Sequence, residues 1–336
     1  MKKLFSILMI IMMAAFCLTA CGSDSGSDEG SGGGSDKEDQ LKIVTTIFPL
    51  YDWTRNVLGD KEKNTKLTML LDEGVDLHSY QPNAEDLSAI SECDVFIYVG
   101  GESDEWTKDA LDQAENKDMI KINLMEIMGD NAKEEEHKEG MQEEDEHEGE
   151  EEHGDEEKEY DEHVWLSLRN AGTFVSEIEK ALSKADEKNA DAYKKNSAEY
   201  ENKLSSLDDE YKKAVADGSV KTLLFGDRFP FRYMTEDYGL DYYAAFAGCS
   251  AESEASFKTI SFLAKKVDEL KLKNVMTIEG SDKKIAKSII ANTKEKNQKI
   301  LTMDSMQQIT SKEVDSGATY LSLMEKNLKV LSKALK

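Results

Sequence analysis

The sequence predicts an α/β chain of two lobes, each a small parallel sheet flanked by helices, with a long helix joining them. Three observations predict it. Four short apolar runs alternate with helical patterns in the first part of the chain, four more do so after residue 220, and between them Asn170 to about Ala216 keeps one helical periodicity. Strands that alternate with helical patterns belong to parallel sheets with crossover helices.

In order, Leu41 to Phe48 (LKIVTTIF) is rich in β-branched residues and reads as the first strand, with Leu50 to Leu58 as the helix after it. Leu67 to Leu71, Val95 to Val99 and Ile120 to Asn123 complete the first lobe. From Asn170 the apolar residues Phe174, Ile178, Leu182, Tyr193, Tyr200, Leu204, Leu207 and Tyr211 recur at helical spacing, without Pro and with Gly only near the ends, and a break is expected at Asp186 to Asn189. Thr222 to Phe225, Asp241 to Phe246, Asn274 to Ile278 and Lys299 to Met303 read as the strands of a second lobe, closed by a helix from Tyr320 to Leu335. The expected division is a first lobe at 41–168, carrying an acidic insertion at 132–162, a linking helix at 169–217 and a second lobe at 218–336. About 295 residues beyond the N-terminal tether suffice for two such lobes.

The N-terminus has a different grammar. Lys2 and Lys3 precede an apolar run from Leu4 to Phe16, then Leu18-Thr19-Ala20-Cys21-Gly22. An apolar run of this length after a basic start is too short to span a bilayer and fits an export signal, here residues 1–20. The residues before Cys21 resemble the lipobox of bacterial lipoproteins, which implies that Cys21 carries lipid and anchors the chain to the membrane outside the cytoplasm. Gly22 to Gly34 is almost wholly Gly, Ser, Asp and Glu, too polar to bury a core, so residues 21–40 are expected to be a flexible tether.

The net charge of −27 excludes a nucleic-acid partner, since a phosphate backbone is bound by basic surface. Lys133 to Glu162 holds eighteen acidic and three basic residues, net −15, so one insertion carries more than half of the charge. Of four cysteines, Cys17 leaves with the signal and Cys21 is committed to lipid; Cys93 and Cys249 remain, joined or free.

Five histidines are the candidate ligands. His137, His147 and His153 lie in the acidic insertion, whereas His78 sits in GVDLHSYQPNAEDL just after a strand and His163 in YDEHVWLSLRNA, where the acidic run ends. Loops at the carboxyl ends of parallel strands are where α/β folds place ligands.

These segments resemble the solute-binding lipoproteins of zinc and manganese ABC importers over nearly all of the mature chain. Gly74 to Leu87 resembles the family's Gly-x-Asp-x-His-x-Tyr-x-Pro motif, with a metal histidine at His78. Asp161 to Leu168 resembles Asp-Pro-His-x-Trp-Leu-Asp-Pro, with the second histidine at His163, although the prolines and the second Asp are absent. Val95 to Ala110 resembles the following strand and Gly turn, Asn170 onward the rigid linking helix, and KILTMDSM (Lys299 to Met306) the late strand that presents an aspartate to the metal, here Asp304. The resemblance implies a clamp with limited hinge motion that captures Zn(II) and hands it to the permease and ATPase of an importer.

One position departs from that pattern. Ten residues before the Tyr of Tyr238-Gly239-Leu240, where the family carries His or Glu, stands Arg228, whose guanidinium has no lone pair to give a metal. A guanidinium in the cleft repels a cation by about 4 kcal/mol per pair of unit charges at about 4 Å and an effective dielectric near 20, so Arg228 is expected to turn away and pair with a carboxylate. Asp227 then faces His78, His163 and Asp304 as the replacement ligand, or forms a structural pair with Arg228 while water fills the fourth place. GCSAESEAS (Gly248 to Ser256) offers Cys249, Glu252 or Glu254 as further candidates.

Two imidazoles favour zinc and its neighbours over magnesium or calcium, which take oxygen ligands. Zinc members of the family often carry a His-containing acidic loop at this place. It either concentrates cations by its field or is a solvated charge run. The alternatives are a manganese-type receptor, a metal-dependent surface adhesin or a secreted metalloenzyme. Against the last, His147-Glu148-Gly149-Glu150-Glu151 lacks the second histidine of a zinc-protease motif, and no nucleophile elbow or phosphate loop occurs.

Overall fold

The computed structural model describes residues 40–142, 159–250 and 254–336. The expected signal and tether, with Cys21, and His147, His153 and Glu252 lie outside them. Among the described residues no helix is long and apolar enough to cross a membrane.

The first lobe runs β1 (Leu41–Thr45), α1 (Phe48–Leu58), β2 (Thr65–Met69), α2 (Ala84–Glu92), β3 (Val95–Tyr98), α3 (Trp106–Gln113), β4 (Ile120–Asn123) and α4 (Leu124–Met128). β1 is shorter than expected from its apolar run: the chain turns at Thr46 and Ile47, and Pro49 opens α1, where its missing N–H costs nothing. Two helices follow, α5 (Leu168–Ala185) and α6 (Ala190–Asp217). The second lobe has β5 (Thr222–Phe225), α7 (Arg232–Tyr238), β6 (Asp241–Ala244), α8 (Phe257–Leu270), β7 (Asn274–Ile278), α9 (Lys284–Asn292), β8 (Lys299–Met303), α10 (Ser311–Asp315) and α11 (Tyr320–Ala334).

All strands are parallel, and the two sheets repeat one order, β2-β1-β3-β4 and β6-β5-β7-β8. In each, the order reverses between the first and third strands, which opens a crevice beyond their carboxyl ends. The loops after β2 and β5 meet: Asp76 accepts a hydrogen bond from the Arg228 guanidinium at 2.5 Å. The two crevices thus share one cleft.

The linking segment is a hairpin rather than one rod. It breaks at Asp186, whose carboxylate accepts bonds from the Asn189 amide and the Tyr193 hydroxyl, both at 2.6 Å, and α6 folds back on α5. On α6 the buried Tyr193, Ser197, Tyr200, Leu204, Leu207, Tyr211 and Val215 recur every three or four residues and form the stripe that packs on α1, α5 and α11. One apolar core therefore runs through both lobes, from Ile43, Phe96 and Ile97 through Tyr200 and Tyr211 to Phe225, Met303 and Tyr320. A second, smaller core of Leu224, Leu263, Val267, Val275 and Ile289 lies between the second sheet and helices α8 and α9. Continuous packing across the junction resists large hinge motion, because close-packed interiors do not deform smoothly.

Asp52 ties three of these helices together. Its carboxylate is 2% exposed, accepts from the backbone amide of Tyr320 at 3.0 Å on α11, and lies 3.4 Å from the Tyr200 hydroxyl on α6. Burial pushes its pKa up to about 6, with the Tyr320 amide opposing. An Asp that titrates near about 3.9 when unfolded holds its proton more tightly in the native chain, so its stabilising contribution is complete below that value and is lost as pH rises through about 6. Asp52→Asn should remove this decline. Urea midpoints between about pH 4 and 7 should fall less steeply in the variant than in the parent, and equal slopes would show that Asp52 does not carry the dependence.

Candidate metal centre

His78 is delivered by the loop after β2. Asp76 caps a short turn over Leu77–Ser79, its Oδ1 accepting from the His78 backbone amide at 3.1 Å. Downstream, Asn83 and Asp86 form a capping box at the start of α2, and Asp86 also accepts from the Tyr80 hydroxyl at 2.8 Å. The histidine loop is thereby fastened on both sides.

His163, fully buried, is held by the same device. Asp161, two residues earlier, accepts from the His163 backbone amide at 2.9 Å and from its Nδ1 at 3.0 Å. Ser167, at the place of the second Asp in the motif, caps α5 by accepting from the Asn170 amide at 3.1 Å, which serves as well as Asp would. Where the motif has Pro stands Glu162, 2% exposed, with Oε1 accepting from the Ser103 amide at 2.9 Å. The chain passes this carboxylate at Gly101 (φ +83°), where a Cβ would come within 2.3 Å of Oε1, so only glycine fits there.

The two loops bring the imidazoles together, their planes tilted by 56°, with His78 Nε2 3.2 Å from His163 Nε2. His78 Nδ1 lies 2.7 Å from the Ser103 hydroxyl, which itself bonds to Glu162, and His163 Nδ1 donates to Asp161. With a proton on each Nδ1, both Nε2 atoms are free to accept a common cation; with a proton on one Nε2, the pair is an N–H···N hydrogen bond. The separation agrees with the edge of a zinc tetrahedron, about 3.3 Å for Zn–N bonds of about 2.0–2.1 Å.

The surroundings favour a cation. Burial and the facing His163 push the pKa of His78 down to about 3, so it offers a neutral, ligating ring. Burial acts the same way on His163, but Asp161, Glu135 and Glu162 overcome it and raise its pKa, a measure of the local negative field. Burial raises Glu162, and its Oε2 has no hydrogen-bond partner although it lies 3.7 Å from His78 Nδ1.

Among the described residues, the group of His, Cys, Asp or Glu whose ligand atoms lie within 4.8 Å of one another is His78, His163 and Cys249. Cys249 comes from the loop after β6. Its amide donates to Glu135 at 2.8 Å, and Gly248 lies so close to His163 that a Cβ there would be 3.2 Å from the ring. Burial raises the Cys249 thiol well up, and the carboxylates of Glu135, Asp161 and Glu162 raise it further. Cys249 and Cys93 are both free thiols, so they are not joined.

The two aspartates expected in this group stand outside it. Asp227 accepts from the backbone amides of Arg228 at 3.0 Å and Ile278 at 3.3 Å, which ties β5 to β7 and engages both of its oxygens. It does not pair with the Arg228 guanidinium, which goes to Asp76. That contact, with burial opposing, lowers the pKa of Asp76. Asp304 accepts from the Met306 amide at 2.9 Å, and its charge helps burial push Glu279 up to about 7. His137 is exposed, on a segment of the insertion that is docked on the second lobe: Gln142 donates to the Ala245 carbonyl at 2.8 Å, and Tyr242 to Glu136 at 2.9 Å. Glu135, Glu162 and Ser103 escaped the sequence reading because nothing in a charge run or a Gly turn marks one residue as buried.

The comparisons with known proteins agree with this architecture. The chain is 30% identical over 306 residues to the zinc-binding protein AdcA of Streptococcus pyogenes serotype M1, which is 88% of this chain and 56% of that protein, so it spans little more than half of its length. It is 30% identical over 300 residues to the high-affinity zinc uptake system protein ZnuA of Bacillus subtilis, covering 89% of each. The crystal structure of Zn(II)-bound AdcA from Streptococcus pneumoniae superposes with a TM-score of 0.68 at 27% identity, over 88% of this chain and 58% of that one. Residues 43–334 match the family of the periplasmic component A of the zinc-uptake complex, and the chain belongs to that family.

Proposed function

We propose that this protein is an extracytoplasmic receptor, held to the membrane by lipid on Cys21, that captures Zn(II) in the cleft between its lobes and delivers it to the permease and ATPase of an ABC importer. One observation carries the reading: two imidazoles from separate loops, His163 buried and His78 half-buried, bring their Nε2 atoms to 3.2 Å, the ligand spacing of a zinc tetrahedron, within an acidic surround. Family membership supports it, as do the names of the relatives. Zinc is the cargo, bound and released unchanged, so no catalytic group is required.

In this reading His78 and His163 are ligands, and Asp161 orients His163 as the outer carboxylate of a carboxylate–histidine–metal relay. Asp227 and Asp304 shape the carboxyl ends of β5 and β8. The acidic insertion, rooted beside the cleft through Glu135, gathers cations with its field and with His137, His147 and His153. Residues 1–20 serve as signal and 21–40 as tether.

A competitive titration against a chromophoric zinc chelator tests the proposal. One tight equivalent is expected, with weaker equivalents that disappear when residues 143–158 are deleted. Absence of a tight equivalent overturns the receptor reading, and its loss on that deletion would move a primary ligand into the insertion.

A further inference from the structure

We propose that Cys249 is a zinc ligand, so that the cleft binds its metal through two imidazoles and one thiolate; this rests on the receptor reading above. Four observations converge. The first is the cluster itself, in which Sγ of Cys249 and a ring nitrogen of each histidine lie within 4.8 Å of one another. In a zinc tetrahedron with Zn–S about 2.3 Å and Zn–N about 2.0–2.1 Å the N···S edge is about 3.5 Å, so the N···S distances exceed that edge by no more than about 1.3 Å, a gap that rotation of one side chain can close.

Second, the backbone of the Cys249 loop is built against the site. Glu135 holds the Cys249 amide at 2.8 Å, and Gly248 lets the loop close on the His163 ring. Third, the topology repeats: His78 follows β2 and Cys249 follows β6, strands that occupy the same place in the two sheets. The second lobe thus offers its cysteine from the position at which the first offers its histidine. Fourth, the buried Glu162 Oε2, unpartnered and 3.7 Å from His78 Nδ1, leaves negative charge that a bound cation would balance. Arg228 is engaged with Asp76, so a ligand from the second lobe has to come from elsewhere.

On binding, the S–H bond of Cys249 breaks, its proton goes to solvent, and the sulfur's electron pair forms the S–Zn bond; one proton leaves per metal bound. A thiolate also sets selectivity. Sulfur ligands suit zinc, cobalt and cadmium far better than manganese, magnesium or calcium, whose preferred donors are oxygens.

The test uses Co(II) as a coloured stand-in for zinc. The wild-type chain loaded with one equivalent of Co(II) should show a thiolate-to-cobalt charge-transfer band in the near ultraviolet. Cys249→Ser should lose that band and at least tenfold in zinc affinity, while Cys93→Ala keeps both; urea midpoints of the variants report whether each is folded. Tight metal binding without the band, or a folded Cys249→Ser chain that keeps band and affinity, overturns the ligand assignment and leaves the receptor standing. A wild-type chain that binds neither metal overturns the receptor reading, and this one with it.

Discussion

Replacing His78 and His163 together by Ala is expected to abolish tight zinc binding while leaving the fold intact. The two Nε2 atoms are 3.2 Å apart and are the paired donors of the proposed site. The effect should exceed that of removing a group which merely orients a ligand. Asp161→Ala, which deprives His163 Nδ1 of its acceptor, should cost about 10–100-fold in affinity, the usual range for an outer-shell partner. The double histidine variant should fall below detection in the same chelator competition. The fold should tolerate the change, because neither histidine belongs to the apolar core that runs through both lobes, and urea midpoints of the variant report it. A double variant that still takes one tight equivalent would place the site elsewhere in the molecule.

The largest effect on stability is expected at Trp165. It lies two residues after His163, is fully buried, and its ring centroid is 5.2 Å from that of the histidine. Its indole Nε1 donates to the Ser305 carbonyl in the second lobe at 2.8 Å, and its own carbonyl accepts from the Tyr320 hydroxyl at 2.7 Å. It therefore joins the His163 loop of the first lobe to the segment after β8 and to α11. Trp165→Ala should cost about 3–5 kcal/mol through lost burial and the cavity left behind, and Trp165→Phe, which keeps most of the packing but leaves the Ser305 carbonyl unpaired, about 1–3 kcal/mol. Urea denaturation with an unchanged m-value separates the two from a change in the unfolded state. A loss under about 1 kcal/mol for the alanine variant would mean that the junction of the lobes repacks freely.

Much of this molecule could be read without coordinates, and the reasons are local. Among the described residues the eight strands lie near where β-branched and apolar runs predicted them, because the inner strands of each sheet are covered on both faces and must be apolar there. The break at Asp186 to Asn189 coincides with the gap in apolar spacing between Leu182 and Tyr193. His78 and His163 stood out because each lies in an ordered-looking segment that resembles a motif, His78 just after a strand and His163 where the acidic run ends; in both, an Asp two residues earlier accepts the histidine's own backbone amide. These are effects within a few residues of chain, where pattern and chemistry coincide.

What the chain does between distant segments was not written in any one of them. Arg228 was expected to turn from the site towards a carboxylate, but its partner lies 152 residues away, at Asp76. Asp227 was open by adjacency to two roles, replacement ligand or ion-pair partner of Arg228; the register of β5 on β7 sets it under the Ile278 amide, where both of its oxygens accept from backbone donors. Cys249 reaches the imidazoles only because the second sheet repeats the strand order of the first and opposes its crevice. Local spacing in the sequence determined the elements and the two histidines. The tertiary structure alone decided that Cys249 of the second lobe lies within 4.8 Å of them, because that proximity depends on how two sheets are set against each other.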